Sequence, residues 1–293
     1  MASLKEVKSR ISSVISTQQI TKAMKMVAAA KLRKSQDKIS QMRPFAKKMN
    51  VLLQNLSAAG TEDQAWYNQV REEKKVLIVA ISSDRGLCGS FNSTIFKAVT
   101  RLVEEKYAAQ AKKGHVSYLP IGKKSFEFFE KRNAPRISDY SMLFHNLTFD
   151  NVSKVGDHLI AVFKSGEFDK IEIVYNEFKN VATQILRIEQ FLPILPVADG
   201  LKNSTTIDYI YQPNQIEILT GLIPKSLKVQ LYKALLDSNA AENGARMTAM
   251  DKATDNAGEL LKELKLTYNR TRQAAITKEI LEIVAGAEAL KSA

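Results

Sequence analysis

The stretch that decides the fold runs from Pro224 to Leu290 and reads PKSLKVQLYKALLDSNAAENGARMTAMDKATDNAGELLKELKLTYNRTRQAAITKEILEIVAGAEAL. Its apolar residues recur at steps of three and four, which is typical of the seam of a coiled coil. At about 1.5 Å per residue, one helix over this stretch would be roughly 100 Å long. A helix that long cannot pack on a single core, so we expect it to project as a stalk, pair with another long helix or be covered by other chains.

Two apolar stripes lie within this stretch, separated by a polar interruption. The first consists of Met250, Ala253, Ala257, Leu260 and Leu264, and the second of Ile276, Ile280, Ile283, Ala287 and Leu290. Pro224 suits the first turn of a helix and Ser226 offers a capping hydroxyl, so we expect the helix to begin near Pro224. Because the end of the helix is apolar around much of its circumference, we expect another protein to bury it.

A second long helix is predicted at the N-terminus, about 80 Å long if unbroken. Its stripe is formed by Leu4, Val7, Ile11 and Val14, and later by Ile39, Met42, Ala46, Met49, Leu53 and Leu56. The stripe keeps its phase across Pro44, which predicts a kink or a missing hydrogen bond there, not the end of the helix. If both helices leave the same side of the intervening domain, they run antiparallel as a coiled coil. The C-terminal helix would then extend about 11 residues further.

The charge of the chain is concentrated at its N-terminus. Of a net +12, residues 1–56 contribute 12 Lys and Arg against Glu6 and Asp37, whereas residues 57–223 are balanced. Such a helix can bind phosphate backbones or anionic lipid, can turn among acidic loops of a partner, or can present a merely solvated face. The segment lacks interleaved aromatic residues, which disfavours the recognition of nucleic-acid bases.

Composition excludes several classes of protein. The longest purely apolar run, Val76 to Ile81, is far shorter than the roughly 18 residues of a membrane span, and no apolar segment of a secretory signal follows the N-terminal basic residues. One cysteine, Cys88, excludes an intramolecular disulfide, and three scattered histidines offer little to a metal. We expect no metal and no cofactor.

The middle of the chain predicts a small α/β domain. We divide the chain into an N-terminal coiled-coil helix at 1–58, a central Rossmann-like α/β domain at 59–213 and a C-terminal coiled-coil helix at 214–293. The predicted strands are Val76–Ser82, Val116–Ile121, Arg136–Leu143, Ile171–Phe178, Thr183–Leu192 and Tyr209–Tyr211, and the predicted helices are Asn92–Ala111, Lys123–Lys131 and Val152–Ser165. Ile171–Phe178 and Thr183–Leu192 are expected to form an antiparallel hairpin.

The turn from Gly86 to Gly89 lies between a strand and a helix, where phosphates often bind. It has neither the dinucleotide-binding fingerprint nor a Walker A motif, so a structural turn is favoured over a ligand loop. Cys88 is interpreted as a small buried residue, because no histidine lies near it in sequence to activate it. We expect Asp84 and Arg85 to pair locally or to face a partner. No set of residues predicts a catalytic centre.

Three separated motifs resemble those of the F-type ATP synthase gamma subunits, over essentially the whole chain. They are residues 20–33 (ITKAMKMVAAAKLR), the turn Ser83–Asn92, and residues 268–274 (YNRTRQA) followed by Ile276–Glu279, Glu282 and Gly286–Ala287. Asn243 and Gly244 depart from the His and Ala that are more frequent in this family. The regulatory cysteine insert of the chloroplast members is absent.

The resemblance implies a rotor shaft that carries no catalytic residue and couples proton or sodium flow to the catalytic beta subunits. Its implied partners are the alpha and beta hexamer, the epsilon subunit and the ring of c subunits. The start at Met1 favours the cytoplasmic side of a bacterial plasma membrane, with peripheral attachment. The residues implied in partner binding are Met24, Lys25, Arg272, Gln273, Ile276, Thr277, Glu279, Ile280 and Ile283.

Other interpretations remain open from the residues alone. The chain can be a basic coiled-coil protein that binds nucleic acid, or an α/β enzyme that handles phosphate. Arg272 and Gln273 can be a tolerated break in the register of the coiled coil instead of a binding site.

Overall fold

The computed structural model describes residues 3–58, 66–194 and 215–291. Its elements in chain order are α1 (Leu4–Ala58), β1 (Val76–Ile81), α2 (Phe91–Lys106), α3 (Ala108–Lys112), β2 (Val116–Ile121), α4 (Lys123–Glu130), a 3-10 turn (Leu143–Asn146), α5 (Phe149–Lys164), β3 (Lys170–Phe178), β4 (Gln184–Leu192) and α6 (Gln215–Lys291). Contacts group the chain into two units, Met1–Ala28 with Met247–Ala293, and Ala29–Arg246. The predicted fold class, with long terminal helices and a central α/β sheet, is confirmed.

The unit Ala29–Arg246 is built on a four-stranded sheet in the order β2-β1-β3-β4. β1 runs parallel to β2 and β3, whereas β4 is antiparallel to β3. Every residue of β1 is buried, as its β-branched apolar sequence predicts for a strand covered on both faces. Leu77, Val79 and Ile81 face a core shared with α5 and α6, while the alternate residues of β1 face a core shared with α1, α2 and α6.

Two predicted elements in this unit are wrong. Arg136–Leu143 is not a strand: only Arg136 bridges to Tyr118, and the chain then turns into the 3-10 helix. One bridge beside the edge strand is too little pairing to build a ladder. The helix predicted over Asn92–Ala111 is divided into α2 and α3, because Tyr107 leaves helical geometry to bury its ring and donate from its hydroxyl to Glu172 at 2.7 Å.

The bounds of α6 differ from the prediction. It begins at Gln215, and Pro224 lies inside it, not in its first turn. Proline removes one backbone donor, but burial of the neighbouring Ile223 and Leu227 in the core supports the helix around it. α6 has 77 residues and α1 has 55, so the difference in length is about twice the predicted one.

α1 runs through Pro44 without ending, as its unbroken stripe predicts. The buried members of that stripe near the proline are Ile39, Ala46 and Met49. The side chains of Leu53 and Leu56, and the strand predicted at Tyr209–Tyr211, lie outside what the structure describes. Both predicted domain boundaries also fall on residues outside the described ranges, so the three-part division stays a prediction.

The two residues that depart from the family motif have local explanations. A Cβ at Gly244 would come within 3.3 Å of the Phe178 ring, which makes the site tight for a larger residue. The Asn243 amide donates to the carbonyl of Asn239 at 2.8 Å, and the Asn239 side chain accepts from Ser35 of α1 at 2.7 Å. The two departures therefore fit α6 to the hairpin and to α1.

The glycine turn after β1 is held by the protein itself. Ser83 and Asn92 are joined through their side chains at 2.7 Å, and Arg246 of α6 donates to the carbonyl of Arg85 at 3.0 Å. Asp84 accepts from the amide of Lys123 at 3.1 Å and lies 3.4 Å from Nδ1 of His145, so its contacts are local, as one of the two expectations has it. These bonds hold the turn in place from three sides, and the Asp84 carboxylate beside it would repel an anion, which supports a structural turn.

Cys88 is buried in this turn, with 2% of its surface exposed, and burial raises the pKa of its thiol. The structure therefore places Cys88 where its interpretation as a small buried residue predicts. In the described parts of the chain, no cluster of three or more potential metal ligands occurs. A search of the same residues finds no helix with the length and apolarity of a membrane span.

Gly122 begins α4 with a backbone φ of 98°, a conformation that L side chains rarely adopt. A Cβ there would lie 2.3 Å from the carbonyl oxygen of Ser82, at the end of β1. The contact joins the ends of the two parallel strands β1 and β2. Glycine is therefore required at position 122 for two reasons, the positive backbone φ and the lack of space for a Cβ.

Gly122→Ala is expected to lower the free energy of unfolding by about 2 to 4 kcal/mol, from strain and overlap together. Denaturant unfolding of the full chain measures this. The matched control is Gly86→Ala, where no atom lies within 4 Å of the added Cβ and the backbone is not left-handed, and it should change stability by less than about 0.5 kcal/mol. Equal effects of the two variants would contradict the argument.

Candidate partner-binding surface

All of the candidate partner-binding residues lie in the unit formed by Met1–Ala28 and Met247–Ala293. α1 supplies Met24 and Lys25, and α6 supplies the others. The unit is a pair of helices, so the surface is set by which side chains each helix turns towards the other.

The two helices are antiparallel in this unit. The side chain of Gln18 reaches the carbonyl of Thr254 at 3.5 Å, the hydroxyls of Thr21 and Thr254 lie 2.8 Å apart, and Lys25 pairs with Asp251. Residue numbers thus rise along α1 as they fall along α6. This confirms the antiparallel pairing of the terminal helices.

Polar residues occupy part of the seam, which the apolar pattern alone did not identify. Val7, Thr21 and Ala28 of α1 are buried, and Gln18 is partly buried, so the three and four residue steps continue through polar positions. The signal was present: counting on from Val14 by four and three gives Gln18 and Thr21. A polar contact in a seam favours one register of the two helices, because the direct contact of Thr21 with Thr254 forms only when the two residues lie opposite each other.

The seam of α6 departs from the predicted stripe after Ala257. Met250 and Ala257 are buried, as predicted, but Leu260 is 45% exposed and Leu261 takes its place in the seam. The partly buried positions that follow are Leu264, Tyr268, Thr271 and Ala275. A step of four from Ala257, in place of the predicted step of three, moves the contact line by one residue. Gly258 lies beside this step, where a Cβ would be 3.1 Å from the Gln18 amide.

The seam ends at Ala275. From Ile276 to Glu288 every side chain is exposed. Projected along the helices, the register places Leu4, the first residue of α1, beside about Thr271, so α1 does not reach further. The second predicted stripe therefore does not pack on α1, and the end of α6 lies beyond its partner helix.

This end of α6, residues 276–288, carries an exposed apolar face that we call the tip face. Its members are Ile276 at 48%, Ile280 at 54%, Leu281 at 63%, Ile283 at 71% and Val284 at 53% exposure. With 3.6 residues per turn, they cover an arc of roughly 160°. Lys278 and Glu282, 3.5 Å apart, lie on the remaining side. The side chain of Leu290, predicted to continue the face, is outside the described ones.

The polar candidates on α6 flank the tip face. Arg272 and Gln273 are exposed, and within the part of the chain that the structure describes their side chains form no hydrogen bond or ion pair. Thr277 instead donates from its hydroxyl to the backbone carbonyl of Gln273 at 2.9 Å, and Glu279 is exposed. Arg272 and Gln273 therefore hold three or more unused donors next to an apolar face.

The candidates on α1 are placed differently. Lys25 already pairs with Asp251 of α6, and both side chains are about half exposed, so this pair contributes at most about 1 kcal/mol. Met24 is partly buried beside it. The large exposed side chains of this segment are instead Ile20, Met26 and Val27, each more than half exposed, which the sequence analysis did not single out. Exposed apolar residues so close together are typical of an interaction surface.

Comparison with known proteins places these features in one family. A family model described as ATP synthase matches residues 3–290. The ATP synthase gamma chain of Cytophaga hutchinsonii is 57% identical and the match covers 100% of both chains. The ATP synthase gamma chain of Flavobacterium psychrophilum is 56% identical over 99% of this chain and 100% of that one.

Solved structures give the same result for the fold. A chain of the Euglena gracilis mitochondrial ATP synthase, in a structure of OSCP, F1 and the c-ring, aligns with a TM-score of 0.71 at 20% identity, over 98% of this chain and 94% of that chain. A chain from the central stalk and c-ring of the Tetrahymena thermophila mitochondrial ATP synthase aligns with a TM-score of 0.56 at 26% identity, over 80% of this chain and 99% of that one.

The phase of the seam can be tested with two neighbouring leucines. Leu261→Ala is expected to lower the free energy of unfolding by about 1 to 2 kcal/mol, because a partly buried side chain leaves the seam. Leu260→Ala, at the position the simple stripe would bury, should cost less than about 0.5 kcal/mol. Thermal and denaturant unfolding of the full chain measure both effects. A larger loss of stability for Leu260→Ala than for Leu261→Ala would show that Leu260 packs in the seam, as the simple stripe predicts.

Proposed function

The chain belongs to the ATP synthase gamma-chain family, and we propose that it is the central shaft whose rotation makes the catalytic subunits change conformation in turn. Its role is that of a rotor subunit within the F1 and c-ring assembly. The proposal depends mainly on the end of α6, where this chain exposes an apolar face beyond the end of α1. Such a face needs a protein around it.

We propose that the chain contributes no catalytic residue. In support, hydrogen bonds within the protein hold the glycine turn, and in the described residues the ion pair that involves a candidate binding residue, Lys25 with Asp251, is a half-exposed contact between the two helices. Catalysis would then belong to the partner subunits. The chain would act on them only by contacting their conformational states differently.

The two ends of the candidate surface suit two kinds of contact. The tip face would turn inside an apolar ring of residues of the alpha and beta hexamer. Hydrophobic contacts are non-directional, so they would offer little resistance to rotation. Arg272 and Gln273 would make hydrogen bonds with one beta subunit at a time, since their donors are free and directional. Met24 and Lys25 would lie where acidic loops of beta pass the shaft.

The seam must keep the two helices together while these contacts form and break. Thr21, Thr254 and the pair of Lys25 with Asp251 supply contacts across it that depend on register. A load applied along one helix would therefore be shared by the other, because sliding by one turn breaks all of them. This polar layer fits a shaft that transmits torque.

Location and coupling follow from family membership as further parts of the proposal. The chain would be attached peripherally to a bacterial plasma membrane, on its cytoplasmic side, through the ring of c subunits and the epsilon subunit. Proton or sodium flow through the membrane ring would drive the rotation. The alternative functions, nucleic-acid binding and phosphate chemistry, lose support, since the relatives over the whole chain are ATP synthase gamma chains.

The isolated chain is expected to have no ATPase activity, and to convert a mixture of alpha and beta subunits into a cooperative, rotating enzyme. Steady-state hydrolysis is measured for the chain alone, for alpha with beta, and for all three, with rotation followed on a bead attached to the chain. Hydrolysis by the purified chain alone, after contaminants are excluded, would overturn the non-catalytic role.

Replacing Arg272 and Gln273 together by Ala is expected to slow ATP hydrolysis of the assembled complex about tenfold, the factor for roughly 1.4 kcal/mol of lost hydrogen bonding. The shaft should remain folded, because neither side chain packs in the seam. Lys265→Ala, an exposed residue on the same helix, is the matched control and should leave turnover unchanged. Normal turnover of the double variant would favour a tolerated register break.

A further inference from the structure

Asp237 is a buried carboxyl group for which the described residues supply no hydrogen-bond donor. It lies on α6 with its side chain fully buried, and both carboxylate oxygens are without a donor. The hydroxyl of the next residue, Ser238, is also buried and unpaired. An ionised carboxylate in such a place is costly, so a carboxyl kept there has to be neutral or to find a cation.

Two cations of the described residues act on Asp237, Lys233 of the same helix and Arg43 of α1, and Arg43 is the one at ion-pair distance. The guanidinium of Arg43 on α1 lies 3.8 Å from Oδ1 of Asp237, at the limit of an ion pair, while 55% of the Arg43 side chain is exposed. The charged and titratable groups near Asp237 in the described residues are Arg43 on α1, Lys233 on α6, Glu177 and Tyr175 on β3, and Glu189 on β4. Of these groups, Arg43 is the one that is largely exposed to solvent and lies on a different helix from Asp237.

The segment of α1 that carries Arg43 has room to move. A cavity of about 610 Å³ is lined there by Gln36, Ile39, Ser40, Arg43, Pro44, Phe178 and Lys179. Pro44, next to Arg43, has no N–H to donate to the carbonyl of Ser40, so the helix is weakened at this turn. The weakened helical turn and the cavity beside it give the Arg43 side chain room for two positions.

We propose that Asp237 and Arg43 form a proton-controlled latch between α6 and α1. When Asp237 is ionised, the Arg43 guanidinium closes its 3.8 Å separation from the carboxylate and pairs with it, tying α1 to α6. When Asp237 is protonated, the attraction is lost and Arg43 returns to the cationic outer face of α1. The device goes beyond the rotor role, and it does not depend on it.

The pH range follows from the surroundings. Burial, together with the charges of Glu177 and Glu189, raises the pKa of Asp237 from its ordinary value of 3.8 to about 6 against the opposing charges of Lys233 and Arg43. Because the folded pKa lies above the unfolded one, the free energy of unfolding falls as the pH rises from about 4 to about 6, which is the cost of the buried charge that Arg43 offsets only in part. The latch is thus closed near pH 8 and open near pH 5.

Carbon-13 NMR of the aspartate carboxyls in the full chain tests the pair. The Asp237 signal, identified by its absence in Asp237→Asn, should titrate with a midpoint near 6. Arg43→Gln should raise that midpoint so that proton affinity increases at least about threefold, since a stabilising cation is gone. Arg33→Gln removes an exposed arginine of the same helix and should leave it unchanged. A midpoint unmoved by Arg43→Gln, or moved equally by both, would overturn the latch.

Hydrogen exchange reports the mechanical part. In the wild-type chain, the α1 amides from Ser40 to Ala46 should be protected several-fold better at pH 8 than at pH 5, after correction for the intrinsic effect of pH. Arg43→Gln should abolish this difference, and Asp237→Asn should do the same. Protection that depends on pH equally in wild type and in Arg43→Gln would show that Arg43 does not tie α1 to α6.

Discussion

The burial of α6 against the sheet is the interaction on which the other features depend. Leu231, Leu235 and Ala240 are completely buried, between cores that also contain both faces of β1. One helix thereby serves as a core element over part of its length and continues as an exposed helix over another part. Its sequence changes accordingly, from apolar nearly all round to a narrow seam. Pro224 is tolerated because this burial is strong.

Where one physical constraint dominates, the sequence predicts the structure closely. β1 differs from the prediction by one residue, because a β-branched apolar run between turns is typical of a buried strand, and β2, an edge strand, has the predicted bounds. Both terminal helices follow from the same periodicity. Arg136–Leu143 failed because a strand also needs a partner with free backbone groups, and Leu260 failed because a seam depends on the opposing helix, here Gln18. The local sequence shows neither the strand that would pair with a segment nor the side chains of the helix that packs opposite a seam.

Part of the candidate surface was likewise predictable from the sequence, and part depends on how the two helices pack. The apolar end of α6 was predictable, because an amphipathic helix longer than its partner must expose one face. The ion pair that already engages Lys25, and the exposure of Ile20 and Val27, depend on how α1 is rotated about its axis. That rotation is set by Thr21 and Thr254, small polar residues that hydropathy ranks low. Polar residues in phase with an apolar stripe are therefore the ones to inspect first.

Cys88 gives the chain a practical property. It is the single cysteine, it is almost completely buried, and burial favours its unreactive thiol form. A maleimide reagent would therefore react preferentially with any new cysteine placed on the surface. Dyes, beads or crosslinkers can be attached at one chosen position of the shaft while the natural thiol stays in place, and the packing around Ser83 and Asn92 is left intact.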